Sequence, residues 1–125
     1  MNSESKNLLC DFEFTNNNTV VRFLKYKDFE FVLNMIVCGT GPVGDNGYLI
    51  LWEKDILEKR NDDYMVSEFL DDVFLIGSDG GENAFGVNIK KQFIVVPFFD
   101  MRNENICVLA NTFDGFIKQV SECDY

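Results

Sequence analysis

The stretch Asp72–Ile89, D-V-F-L-I-G-S-D-G-G-E-N-A-F-G-V-N-I, narrows the possible folds more than any other part of the chain. An apolar run, Val73 to Ile76, meets a turn cluster, Gly77-Ser78-Asp79-Gly80-Gly81, and then an alternating run. In that second run Phe85, Val87 and Ile89 face one way and Ala84, Gly86 and Asn88 the other. Strand formers on both sides of an Asp-Gly step predict an antiparallel hairpin at the centre of a sheet. Ser78 and Asp79 are expected to fix the turn through side-chain-to-backbone hydrogen bonds.

The flanking segments offer this hairpin neighbours. Residues 1–7 read as a loose tail. Leu9 to Phe14 alternates, with Phe12 and Phe14 opposite Asp11 and Glu13. After an Asn16-Asn17-Asn18 turn, the apolar residues Val20, Val21, Phe23 and Leu24 either complete a hairpin or lead into the next element. Between Lys27 and Val37, Phe29, Val32, Leu33 and Ile36 recur at helical spacing, and Gly39 is placed to end that helix. Phe31 and Met35 widen the apolar face, which keeps a buried strand as the alternative.

Gly39-Thr40-Gly41-Pro42-Val43-Gly44 matches the G-x-G-x-x-G dinucleotide fingerprint. The fingerprint works only where its last glycine opens a helix whose amides hold a pyrophosphate. Here turn formers and then Tyr48 to Trp52, a strand pattern, follow instead. The segment is therefore read as a plain glycine loop. Glu53 to Arg60 then forms a short helix, acidic at its start and basic at its end, with Ile56 and Leu57 turned inward. Asn61, Asp62 and Asp63 make an acidic turn, and Glu68, Asp71 and Asp72 follow on the way into the hairpin.

Beyond the hairpin, Lys90-Lys91 turns the chain into a strand from Phe93 to Val96, and Pro97 marks that strand's end or an edge because proline cannot donate to a ladder. Phe98 and Phe99 are expected to return to the core, and Asp100 to Asn105 to form a polar loop. Ile106 to Ala110 reads as a further strand. Thr112 caps a last helix in which Phe113, Phe116, Ile117 and Val120 make one apolar stripe. Together these elements predict one α+β domain over residues 1–125, a mainly antiparallel β-sheet flanked by helices.

Composition limits the chemistry. With 13 Phe among 125 residues, the core is expected to be built largely from Phe rings. A net charge of −10 argues against nucleic acid and anionic membranes as partners, and favours a basic protein partner. Cys10, Cys38, Cys107 and Cys123 lack metal-ligand or redox spacing, and Cys38 and Cys107 lie in apolar runs as small buried hydrophobes. A polar N-terminus without a signal-peptide core makes a reducing, cytoplasmic setting the expectation. The chain has no His. General acid-base work would fall to carboxylate pairs such as Glu68 with Asp72 or Asp79 with Glu82, and nothing in the sequence supplies them with a pocket. No enzyme activity, cofactor or metal is therefore expected.

The order of these motifs resembles the SUKH superfamily, specifically its Smi/Knr-type branch, across roughly residues 26 to 120. The resemblance is carried by Gly47-Tyr48-Leu49-Ile50-Leu51-Trp52, Asn61-Asp62-Asp63-Tyr64, the run Phe74-Leu75-Ile76-Gly77-Ser78-Asp79-Gly80-Gly81, Val95-Val96-Pro97-Phe98 and the terminal Ala110-Asn111-Thr112-Phe113. The chain departs at residues 1–25, where the family's Leu-Pro step is missing and Lys25-Tyr26-Lys27-Asp28-Phe29 stands near its place. The resemblance implies a non-enzymatic binding module, in many members an immunity protein that neutralises a cognate toxin, often a nuclease. In that role Asp62, Asp63, Glu68, Asp71, Asp72, Asp79 and Glu82 are the candidate partner contacts on an acidic surface facing a basic cleft. The alternative is a regulatory or scaffolding module of the same fold.

Overall fold

Among the described residues, seven antiparallel strands cross a single sheet in the order in which the chain makes them. They are β1 (Glu13–Phe14), β2 (Gly39–Val43), β3 (Gly47–Leu51), β4 (Val73–Ser78), β5 (Asn83–Asn88), β6 (Phe93–Pro97) and β7 (Cys107–Ala110). The α-helices are α1 (Ser3–Leu8), α2 (Leu57–Asp63), α3 (Val66–Phe69) and α4 (Phe113–Glu122). This computed structural model describes residues 1–15, 20–123 and 125. The expected Asn16-Asn17-Asn18 turn lies outside them. The architecture is the α+β domain that the periodicities predict.

The β4–β5 hairpin is the middle of the sheet, with Val73 opposite Asn88 and Ser78 opposite Ala84. All six residues of β4 are buried. Successive strand side chains point to opposite faces, so both faces of β4 are covered. Phe85 and Phe93 meet Phe116 of α4 at ring-centre distances of 5.2 and 4.7 Å. Phe74 instead meets Phe23, Tyr26 and Phe29 at 5.1 to 5.5 Å. The turn is held as expected. Asp79 Oδ1 accepts from the amides of Gly81 and Asn83, and Ser78 Oγ from that of Gly80. At Gly77 a Cβ would run into the Ile50 carbonyl, so only glycine lets β3 close onto β4 here.

The first third of the chain departs from expectation. Residues 3–8 are not a loose tail but α1, because Asn2 caps it on the Ser5 amide and Ser5 Oγ donates to Asp114 of α4 at 2.7 Å. β1 pairs with β2, not with the segment after the Asn turn. Gly39 makes this possible: at φ +153° it takes a backbone that side chains disfavour, and a Cβ there would strike the Glu13 carbonyl. Gly39 therefore does not end a helix, and Gly39–Val43 is a strand, not a loop. The helical segment before it is a 3-10 helix, Lys27–Asn34, with Phe29 and Val32 buried.

Four further residues lie elsewhere than expected. Asp62 and Asp63 belong to the last turn of α2, not to a separate acidic turn. Cys38 is buried, but Cys107 on the terminal strand β7 is exposed. Phe98 packs against the core, whereas Phe99 is 78% exposed. Thr112 caps α4 by accepting from the Gly115 amide at 3.0 Å, and Phe116, Ile117 and Val120 are buried as the stripe requires.

Candidate protein-binding surface

The seven carboxylates proposed from the sequence do not form one site. Asp71 and Asp72 precede β4, while Asp79 and Glu82 belong to the turn at its far end. Six residues of extended strand separate the two groups by about 20 Å. Four of the seven side chains are already engaged within the fold. Asp62 accepts from Lys25 Nζ and the Tyr26 hydroxyl, both at 2.7 Å. Asp63 pairs with Lys59 at 2.9 Å, and Asp71 Oδ2 accepts from Asn103 Nδ2 at 3.0 Å. Asp79 holds its own turn and also accepts from the Tyr125 hydroxyl at 3.4 Å. Only Glu68, Asp72 and Glu82 are exposed with no side-chain partner among the described residues.

Electrostatics follow from these partners. The bonds from Lys25 and then Tyr26 hold the Asp62 carboxyl below its ordinary value. Burial, reinforced by the bond to Asp62, pushes the Tyr26 phenol up to about 12. A more elaborate clasp is formed by Glu58, which sequence reasoning passed over. Its carboxylate accepts from three consecutive backbone amides, those of Leu24, Lys25 and Tyr26, at 2.7 to 2.9 Å. Burial raises its pKa, but the amides of Tyr26, Leu24 and Lys25 outweigh that, and the net shift is downward. Glu30 adds the Phe23 amide and Arg22, at 3.0 Å each. Residues 23–26, which join no strand, thus have their amides satisfied by two carboxylates.

Beside the first acidic group lies a feature with no sequence forecast. Tyr64, Phe69, Phe98, Phe99, Asp100, Met101 and Arg102 line an open cleft of about 360 Å³. Its floor continues an aromatic column: Arg60 lies 5.4 Å above the Trp52 ring, Trp52 stacks on Tyr64 at 5.9 Å, and Tyr64 meets Phe98 at 5.0 Å. Trp52 itself is core, as expected. Phe69 remains 49% exposed and Phe99 78%.

Two local signals account for these exposed rings. Phe69 falls between Val66 and Leu70, whose i, i+4 spacing takes the buried stripe of α3. Phe98 and Phe99 are adjacent in the single 3-10 turn Phe98–Asp100 that follows β6, and with Phe98 packed on the core the next ring points away from it.

The cleft has acidic surroundings. The segments 62–72 and 98–105 that supply its walls carry seven carboxylates, of which Asp62, Asp63 and Asp100 are paired with Lys25, Lys59 and Arg102, while Glu68, Asp71, Asp72 and Glu104 have no salt-bridge partner among the described residues. Arg102 is bound to Asp100 at 2.8 Å. An apolar depression inside a negative rim is suited to protein recognition, where rings supply buried area and charges supply steering. Among the described residues no three His, Cys, Asp or Glu side chains group as metal ligands, and no helix is long and apolar enough to cross a membrane. Neither the models of known protein families nor the curated proteins contain a match to this chain.

Proposed function

We propose that this chain is a non-enzymatic, immunity-type protein that binds and neutralises a basic protein toxin, of the nuclease kind. The observation that carries the reading is the set of four carboxylates without a salt-bridge partner among the described residues, Glu68, Asp71, Asp72 and Glu104, on the segments that wall the aromatic cleft. A nuclease holds polyphosphate in a basic groove, and an acidic surface with an apolar centre is suited to cover such a groove. The SUKH-like order of motifs supports the same reading, as does the meander centred on the I-G-S-D-G-G turn.

The test is inhibition of a nuclease-like domain encoded beside this chain, with association followed as ionic strength rises. Inhibition at equimolar protein, with association that slows in salt, is the expected result. No inhibition, and no complex at low salt, would sink the reading. Charge reversal belongs at Glu68 and Glu104, because Asp62, Asp63 and Asp71 are bound within the fold. The exposed cleft equally suits a regulatory or scaffolding module. Partner binding indifferent to Glu68→Lys and Glu104→Lys would favour that second reading.

A further inference from the structure

Resting on the reading of a basic protein partner, we infer that the cleft between α3 and residues 98–102 receives one apolar side chain of that partner, flanked by its Lys or Arg residues. Phe69 and Phe99 are large rings left in water, one beside Glu68 and the other beside Asp100. Aromatic groups that are half exposed in the free protein and ring a depression gain most from excluding water on binding. The Trp52–Tyr64–Phe98 stack gives the cleft a fixed floor, so little ordering is needed when a side chain enters.

Charge selects the occupant. A second copy of this chain would bring another net −10 against the same rim, which like-charge repulsion opposes. A cationic segment is drawn to the rim instead. Glu68 and Glu104 are exposed with no side-chain partner among the described residues, so they remain available to its Lys and Arg groups. The apolar side chain then supplies the affinity and the carboxylates its orientation.

Three synthetic peptides test this directly. One is rich in Lys and Arg with a central Leu, the second has Ala in place of that Leu, and the third has Glu in place of the cations. Binding to isotope-labelled protein is followed through backbone amide shifts. The Leu peptide is expected to shift amides of residues 64–69 and 98–102, and to bind at least about fivefold more tightly than the Ala peptide. In a protein carrying Phe69→Ala and Phe99→Ala, checked by its denaturation midpoint to be folded, that preference is expected to vanish.

Equal binding of the Leu and Ala peptides, or no binding of the Leu peptide, overturns the cleft inference while the nuclease titration still judges the acidic-surface reading separately. Binding of the Glu peptide as tight as that of the Leu peptide removes the charge argument and both readings with it. Sedimentation that reveals a dimer of the unaltered protein, abolished by the two Phe substitutions, assigns the cleft to a second copy and also overturns the inference.

Discussion

The side-chain amide of Asn61 pairs with both main-chain groups of Leu75, accepting from its N–H at 2.8 Å and donating to its carbonyl at 2.9 Å. Strand β3 covers β4 only at Gly77 and Ser78, and the Trp52 amide reaches the Ile76 carbonyl. Asn61, fully buried on α2, takes over at the next residue and acts there as a substitute strand. It also donates to the Leu57 carbonyl, tying the interior of α2 to the middle strand of the sheet.

Replacing Asn61 with Ala is therefore expected to leave two buried backbone groups unpaired, at about 1–3 kcal/mol each. Asn61→Asp keeps an acceptor but loses the amide donor and buries a carboxyl. Both variants should lower the urea midpoint, and amide exchange should speed at Leu75. A midpoint unchanged in Asn61→Ala would show that this bridge contributes little.

The Glu58 clasp makes a pH prediction. A carboxyl whose folded pKa lies below its unfolded one contributes stability that is fully present above the unfolded value and lost as pH falls through the folded value. Glu58 is shifted down in this way, as are Glu30 and Asp62. The urea midpoint is expected to hold from neutrality to about pH 4.5, and to fall below it. Glu58→Gln should be less stable than the native chain at neutral pH, and that gap should narrow under acid. A gap independent of pH would assign the effect to packing.

Two phenylalanines separate surface from core. Phe116 is fully buried against Phe85 and Phe93, so Phe116→Ala is expected to cost about 3–5 kcal/mol. Phe99→Ala removes a ring already mostly in water, and its effect should stay within about 0.5 kcal/mol. Denaturant titration of the two variants checks both values. A large loss in Phe99→Ala would mean that this ring serves the fold and not a partner.

Asp72 has a backbone role distinct from its charge. Its φ of 54° is left-handed, a conformation that Asn and Asp tolerate and β-branched residues do not. Asp72→Asn should match the native stability, while Asp72→Val should lose about 1–3 kcal/mol by thermal or urea unfolding. Equal stability of the two variants would show that the residue relaxes out of this conformation.

Much of the scaffold was legible because its signals are local. The Asp79 turn, the strands on either side of it, the Pro97 stop and the Thr112 cap each depend on residues a few positions apart. The N-terminal third was not. Whether residues 3–8 form a helix depends on Asp114, more than a hundred residues away, and β1 finds its partner at Gly39 across the intervening 3-10 segment.

The candidate surface shows the same division. The sequence by itself determined that this chain is acidic, rich in Phe and organised around one hairpin, because charge and periodicity are properties of neighbouring residues. Only the tertiary structure decided that Asp62 and Asp71 are occupied, since Lys25 and Asn103 reach them through the fold, whereas Lys59 and Asp63 pair locally, one turn apart on α2. It alone also decided that Phe69 and Phe99 face water around one cleft. Local spacing can show which ring of a neighbouring set is left over, but not that the two rings left over meet at one cleft, because that depends on what the rest of the chain places between them.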